Sequence, residues 1–234
     1  PLSNVSVTKI SPNNGKQAGG DIASLAGSGF LPGAIVTVGG ISSTNVGVTP
    51  TLITFTMPPG TEGTKDVVAT NPDGQKSILR NAYTYNPFPI IEKISPVSGG
   101  PLAGGTEIII KGKNFIQGVT VYIGSERIAK LDSFSTTELR FDSPVGTAGT
   151  KPIRVVNPDG QEAIMADGFK YNYPPNITSM EPNAGGLEGG TWITIKGTDF
   201  NASHVYVGEI LANIKFRGSK EITIETPPST AGIK

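Results

Sequence analysis

Few residues in this sequence have types and spacings that could support catalysis. His204 is the only histidine, and cysteine is absent from all 234 residues, which excludes thiolate nucleophiles, thiolate metal sites and disulfides. A Ser-His-Asp triad or a histidine-based metal site would depend on that one loop residue, so we expect His204 to be solvated. The glycines of Gly27–Gly33 (GSGFLPG) are spaced wrongly for a dinucleotide fingerprint, and we expect them to bend the ends of strands.

The charge balance does not indicate a polyanionic partner. Lysine plus arginine and aspartate plus glutamate number 19 each, so no net field attracts nucleic acid or an anionic membrane. The acids are scattered, and we expect them on solvated faces, although a carboxylate pair for glycoside cleavage stays open. No apolar run approaches the ~20 residues of a membrane span. We therefore expect no enzyme activity, cofactor, metal site or nucleic-acid partner, and no membrane insertion of this segment.

Three aromatic residues are the candidates for contact with a protein or a glycan. Trp192 lies in the segment TWITIK, where strand alternation places it on the surface beside Thr194 and Lys196. An exposed indole can stack on a sugar ring or anchor a protein contact, or it can pack against a neighbouring domain or strand. Tyr122 and Tyr206 take the outward position of a different strand. The two kinds of strand usually belong to opposite sheets of a sandwich, so we do not expect one aromatic platform.

A repeat of fixed period organises the whole chain. The same motifs recur in the same order, and equivalent aromatic residues stand 85 positions apart at Phe30, Phe115 and Phe200. Each copy also contains an Ile-Ser-Pro-like segment, a pair of glycines, a Val-x-Val-Gly-like strand and a Pro-Pro-Gly-like segment. The first two copies continue to a closing Tyr-x-Tyr or Phe-x-Tyr, and the third stops before that point. Self-similarity of this kind indicates a tandem array of one structural unit.

Within each copy the apolar residues alternate, which is typical of strands with one buried face. In the segment TEIIIK, Ile108 and Ile110 are expected to face a core while Glu107 and Lys111 face solvent. About seven short strands fit into each ~85-residue copy, with a turn signal every 8 to 12 residues. We therefore predict an all-β fold, a tandem array of antiparallel immunoglobulin-like β-sandwiches.

The sequence Asn-Pro-Asp-Gly-Gln appears twice, at residues 71–75 and 157–161. Proline presets the second position of a tight turn, aspartate bonds back to the backbone, and glycine takes the left-handed position. We predict that each copy closes a hairpin between the last two strands of its unit. A calcium role for Asp73 and Asp159 is not expected, because one carboxylate per turn is far short of six to eight oxygen ligands.

The order of these motifs, repeated along essentially the whole chain, resembles the IPT/TIG family of immunoglobulin-like domains. The resemblance implies a non-catalytic module of the kind found in plexin and growth-factor-receptor ectodomains, in Rel-type transcription factors, in starch-degrading enzymes and in arrays on prokaryotic surface proteins. It implies the fold firmly and the function only loosely. The absence of cysteine and of excess basic charge makes an array from a prokaryotic surface or secreted protein the closest of these contexts.

We divide the chain accordingly into unit 1 (residues 1–87), unit 2 (residues 88–173) and unit 3 (residues 174–234, without its last two strands). The connections YNPFPI and YNYPPNI each contain two prolines, which favours an extended, semi-rigid joint. Strands of five to six residues span ~17–20 Å. With end loops each unit would then be roughly 35–40 Å long, and the array would be a rod of about 100 Å.

These features predict a non-catalytic stalk or adhesion module at the cell surface or outside the cell, which spaces or presents binding partners. The partners would be proteins or further copies of the chain, bound at exposed sheet edges, and a glycan stays open. In one version the open edge of unit 3 receives a strand from another copy, with Leu2–Val7 as a donor, and a filament forms. The alternative is a carbohydrate-binding accessory of a secreted polysaccharide-degrading enzyme, with Trp192 as the stacking residue.

Overall fold

The computed structural model describes residues 4–200 and 204–232, and in these residues the fold is all-β, as predicted. Unit 1 contributes nine strands, which form two packed sheets in the orders β1-β3-β7-β6 and β2-β9-β8-β4-β5. Their bounds are β1 (Ser6–Ser11), β2 (Asn14–Gly15), β3 (Ile22–Ser28), β4 (Ile35–Val38), β5 (Ile41–Ser42), β6 (Thr44–Val48), β7 (Leu52–Thr56), β8 (Gly63–Thr70) and β9 (Lys76–Tyr85).

Unit 2 repeats this arrangement with eight strands in the sheet orders β10-β11-β15-β14 and β13-β12-β16-β17. The bounds are β10 (Ile90–Ser95), β11 (Glu107–Lys113), β12 (Thr120–Ile123), β13 (Glu126–Arg127), β14 (Ser133–Phe134), β15 (Glu138–Asp142), β16 (Gly149–Val156) and β17 (Glu162–Tyr171). The predicted alternation is confirmed on β11, because Ile108 and Ile110 are fully buried while Glu107 and Lys111 are exposed.

Unit 3 has one full sheet, in the order β18-β19-β23-β22, and a two-stranded sheet of β20 and β21. The bounds are β18 (Asn176–Glu181), β19 (Trp192–Thr198), β20 (Tyr206–Val207), β21 (Ile210–Leu211), β22 (Asn213–Arg217) and β23 (Glu221–Glu225). Its first strand is less covered than those of the other units: Met180 is 46% exposed, whereas the equivalent Ile10 and Ile94 are 4% and 6% exposed. In units 1 and 2 the last strand, β9 or β17, contacts this first strand.

Each unit has a separate apolar core, and the repeated aromatic residue lies in it: Phe30, Phe115 and Phe200 are all buried. The glycine three positions earlier makes room for that ring. A Cβ atom on Gly112 would meet both the Phe115 ring and the carbonyl oxygen of the preceding strand. The glycine of the repeated motif is therefore a packing requirement between the first and second long strands of each unit.

One detail differs from a simple antiparallel sandwich. After β1 the chain crosses to the other sheet, where β2 pairs in parallel with β9, Asn14 beside Thr84.

The segment Leu2–Val7, predicted as a strand donor, pairs within its own unit. Ser6 and Val7 are part of β1, and Val7 is 8% exposed. Leu2 lies outside the described residues. Donation of this segment to another copy would require β1 to leave its own sheet, and it stays a prediction.

Candidate interaction sites

The Asn-Pro-Asp-Gly turns have the predicted geometry. They connect β8 to β9 and β16 to β17, and Gly74 and Gly160 take positive φ angles of 86° and 85°. In the second turn Asp159 Oδ1 accepts the backbone N–H of Gln161 at 3.0 Å. The first turn has the same bond, also at 3.0 Å. Local sequence therefore accounts for the bend of both hairpins.

The asparagine of each turn has a second role. Asn71 is buried, its Nδ2 donates to the carbonyl oxygen of Gly29 (2.8 Å), and its Oδ1 accepts the N–H of Leu31 (3.1 Å). Asn157 makes the equivalent pair of bonds in unit 2, at 2.8 and 3.1 Å. Each side chain thus ties the hairpin to the loop around the core phenylalanine. Both bonds pair backbone groups in a half-buried part of that loop.

The turn of unit 2 also contacts unit 1, and we call this contact the junction. It consists of Asp159 and Gln161 on one side and of Gln17, Asn86 and Pro87 on the other. Gln161 Nε2 donates to the carbonyl oxygens of Asn86 (3.0 Å) and Pro87 (3.4 Å), and its Oε1 accepts the N–H of Gln17 at 3.3 Å. The Asn86 amide donates to Asp159 Oδ2 at 2.9 Å. Gln161 is 5% exposed as a result.

The junction is also organised from within unit 1. Gln17 Nε2 donates to the same Asn86 carbonyl oxygen that Gln161 uses, at 3.1 Å. Because one carbonyl oxygen carries two lone pairs, it can accept from both glutamines. Asp159 is likewise shared, since its Oδ2 also lies 3.1 Å from Gln161 Nε2, whose two protons are divided among three acceptor oxygens. The bonds therefore form one connected network that joins side chains and linker carbonyl groups of the two units.

Trp192 lies on the surface of unit 3, on β19, with 61% of its area exposed. The Lys215 ammonium is 5.9 Å from the ring centroid, and Lys215 also pairs with Glu225 at 2.7 Å. The hydrogen bond from Lys215 lowers the pKa of Glu225. Glu225 is the cross-strand neighbour of Trp192 on β23. The indole is thus flanked by an ion pair and keeps most of its surface free.

The two tyrosine candidates are placed differently from each other. Tyr122, on β12, is half-buried because the Arg154 guanidinium stacks over its ring, 4.1 Å from the centroid. Arg154 is held in turn by Glu162 at 3.0 Å. Tyr206 is 59% exposed on β20. Trp192 and Tyr206 belong to different sheets of unit 3, as expected, and Tyr122 belongs to unit 2, so the three rings do not form one platform.

The sequence matches the IPT/TIG domain over residues 6–85, 89–173 and 175–234. The chain belongs to the IPT/TIG domain family. Human fibrocystin-L is similar, with 31% identity over 220 residues, which is 89% of this chain and 5% of that protein. Plexin-A3 from Rattus norvegicus is 29% identical over 136 residues, 56% of this chain and 7% of that protein. The chain therefore spans a small fraction of the length of these relatives.

Among solved structures, the full extracellular region of plexin A4 is similar, with a TM-score of 0.45 and 19% identity. That match covers 98% of this chain and 21% of the plexin A4 chain.

The IPT/TIG units show little that could perform catalysis within residues 4–200 and 204–232. His204 is exposed, as expected, and no group of three metal-ligating side chains is present in that part of the chain. No helix among the described residues is long and apolar enough to cross a membrane. The shifted pKa values have structural causes. Burial, above all, raises the pKa of Tyr83 to about 12, and pairing with Glu92 raises that of Lys113.

Sequence reasoning missed the junction residues. The glutamine behind each Asn-Pro-Asp-Gly was visible as a repeat, but the turn itself does not need it, so its purpose was not predicted. The two copies also look alike in sequence, although Gln161 is buried at the junction and Gln75 is only half-buried. The signal that could have been used is the combination of a repeated glutamine with an Asn-Pro pair at the end of the preceding IPT/TIG unit.

Proposed function

We propose that this segment is a non-catalytic stalk or adhesion region of an extracellular or cell-surface protein, in which IPT/TIG units are held at a defined angle. It would space or present binding partners. The division into units 1–87, 88–173 and 174–234 is part of this proposal. The location follows from the contexts of the family, which include receptor ectodomains and prokaryotic surface arrays, and proteins are the expected partners.

The junction is the observation that carries the proposal. Four hydrogen bonds join the two units through Asp159 and Gln161, and a typical hydrogen bond contributes about 0.5–1.5 kcal/mol net. The network therefore favours one orientation by about 2–6 kcal/mol over orientations in which these groups face water. In a pair of freely jointed domains, Gln161 would not keep these bonds to the linker carbonyl oxygens.

Electron–electron distance measurements across the junction test the proposal. Because the sequence has no cysteine, spin labels at Ser42→Cys and Ser125→Cys, both on exposed positions, are the only labels in the protein. We expect one narrow distance distribution. Gln161→Ala should broaden it, because the linker carbonyl oxygens of Asn86 and Pro87 lose the donor that unit 2 supplies, and only Asn86 keeps a second donor, from Gln17. Gln75→Ala is the matched control, and it should leave the distribution unchanged.

A broad distribution in the unsubstituted protein would refute the stiff-stalk proposal. A narrow distribution that survives Gln161→Ala would show that the junction does not set the angle. Circular dichroism and the thermal midpoint of each variant should match the parent, because the turn itself is retained by Asp159 and Gly160.

The second candidate function is a carbohydrate-binding accessory region, and the exposed face of Trp192 is the observation that favours it. Its indole offers an apolar surface beside the Lys215–Glu225 ion pair, the combination of stacking and polar groups that sugars use. Retention on insoluble polysaccharides, with Trp192→Ala against Tyr206→Ala as control, tests it. Equal retention of the parent and Trp192→Ala would remove this candidate.

Assembly into a filament remains a further proposal, supported by the exposed Met180 face of unit 3. Its occupant would be a strand donated by another copy. Sedimentation over a range of concentrations tests this: a strictly monomeric protein would exclude it, and Met180→Lys should abolish any association that is seen.

A further inference from the structure

The turn of unit 1 is a second copy of the element that makes the junction. Gln75 has the same internal bonds as Gln161: its N–H donates to Asp73 Oδ1 at 3.0 Å and its Nε2 donates to Asp73 Oδ2 at 2.8 Å. Among the described residues these side-chain bonds stay within the turn. Asp73 is exposed, whereas the equivalent Asp159 is half-buried against unit 1.

We infer that the turn Asp73–Gln75 is a docking site for the C-terminal end of another IPT/TIG unit, an end like that of unit 1. The inference rests on the proposed function, because it extends the same joint to a further unit. The junction defines the chemistry of the partner. The carboxylate needs an amide donor such as that of Asn86, and the glutamine needs two successive carbonyl oxygens, as Asn86 and Pro87 provide.

The spacing of the sequence fits such a partner. Asn86 precedes Asp159 by 73 positions, and Pro87 precedes it by 72 positions. Pro1 precedes Asp73 by the same 72 positions. An asparagine placed directly before Pro1 would therefore have the same sequence relation to the turn of unit 1 that Asn86 has to the turn of unit 2.

The end of unit 2 is a poorer partner, which argues against docking of a second copy of the chain through that end. Leu102 occupies the position of Gln17: the N–H of Gly146 donates to the Leu102 carbonyl oxygen, as the N–H of Gly60 donates to the Gln17 carbonyl oxygen. Asn172 is the unit 2 equivalent of Asn86, and a leucine side chain cannot donate to its carbonyl oxygen. The docking partner we infer therefore requires the glutamine as well as the Asn-Pro pair.

A fusion tests the inference with the whole chain. A copy of residues 4–86 is placed directly before Pro1, and spin labels are introduced at Ser42→Cys in the copied unit and in the original unit. The copied unit has its own closed core and both sheets, so it does not depend on its neighbours. We expect a narrow distance distribution, and Gln75→Ala or Asp73→Ala should broaden it roughly twofold, toward the width of a flexible linker.

The same fusion separates failure of this inference from failure of the proposed function. Labels at Ser42 of the original unit and Ser125 report the known junction, which should respond to Gln161→Ala and not to Gln75→Ala. A broad distribution across the new joint, or a narrow one that Gln75→Ala leaves unchanged, would overturn the inference while the known junction stays intact. Loss of a narrow distribution at both joints would refute the proposed function instead.

Discussion

The hydroxyl of Tyr83 offers the sharpest test of the packing in unit 1. Tyr83 is fully buried, and its oxygen has no hydrogen-bond partner among the described residues. It lies against Gly15, where even one additional carbon atom would clash with it. Unit 2 has Phe169 at the equivalent position, with the same edge-to-face contact to the neighbouring tyrosine: the ring centroids are 5.1 Å apart in unit 2 and 5.0 Å apart in unit 1.

We therefore expect Tyr83→Phe to stabilise unit 1. The ring and its contacts are kept, and the substitution removes a buried polar group whose desolvation costs about 1–3 kcal/mol. A gain of about 1 kcal/mol would raise the thermal midpoint of a unit of this size by roughly 4–8 °C. Tyr85→Phe is the matched control, because the Tyr85 hydroxyl donates to the Pro58 carbonyl oxygen at 2.6 Å. Its loss should destabilise the same unit.

The pH dependence of the stability of unit 1 tests the same hydroxyl group independently. Burial, assisted by the nearby Tyr85, Asp21 and Asp159, raises the pKa of Tyr83 to about 12 from an ordinary value near 10. Between these pH values the unfolded chain loses this proton and the folded chain keeps it, so stability falls as the pH rises. The loss is on the order of 2–3 kcal/mol by pH 12 and should be absent in Tyr83→Phe.

Hydrogen exchange of the core amides of β8 and β9 measures the free energy of unfolding of unit 1 separately from the other units. The expected order of stability at neutral pH is Tyr83→Phe above the parent and the parent above Tyr85→Phe. A loss of stability in Tyr83→Phe would mean that the hydroxyl makes a favourable bond in solution. An unchanged alkaline loss in that variant would show that other groups cause it.

Three further changes test the repeated elements. Asn157→Ala should destabilise unit 2 by about 1–3 kcal/mol in thermal unfolding, because two half-buried backbone groups lose their partner, and an unchanged midpoint would show that they find others. Gly112→Ala should cost about 1–3 kcal/mol, because its Cβ meets the Ile90 carbonyl oxygen and Phe115, whereas Gly186→Ala, in open space, should be neutral by the same measurement. Trp192→Ala should change the stability of unit 3 by less than about 0.5 kcal/mol in denaturant titration, and a larger loss would show that the indole is a packing residue.

Much of the fold could be predicted from local sequence. The alternation of Ile108 and Ile110 and the glycine of each hairpin turn follow from strand period and turn chemistry, which involve neighbours along the chain. The partners of Asn71 could not be predicted in this way. They lie 40 and 42 residues away, and their distance from the side chain is set by how the two sheets pack. The unpaired hydroxyl of Tyr83 has the same origin, because sequence does not show that Gly15 closes over it.

The same distinction between local sequence pattern and packing applies to the candidate sites. The exposure of Trp192 follows from the alternation of β19, so sequence predicted it. The partial cover of Tyr122 by Arg154 depends on the cross-strand register of β12 and β16, which places Arg154 opposite Tyr122. Register is a property of two strands at once, and a single strand pattern does not contain it.

The stiffness that we propose for the array has two competing explanations, and substitutions can separate them. Sequence alone assigned it to the prolines of the linkers, which restrict φ whatever surrounds them. The junction assigns it to Gln17 and Gln161, whose shared network joins the two units. If the prolines dominate, substituting Pro87 and Pro89 by alanine should broaden the distance distribution while Gln161→Ala does not.

If the glutamines dominate, the order is reversed, and Gln17→Ala combined with Gln161→Ala should broaden the distribution little more than either change alone. This non-additivity is expected because both side chains share the Asn86 carbonyl oxygen and one network. The linker after unit 2 also has two prolines, but Leu102 replaces the first glutamine there. If glutamines hold the joint, the width of the distance distribution should therefore differ between the two linkers. If prolines hold it, the two widths should be alike.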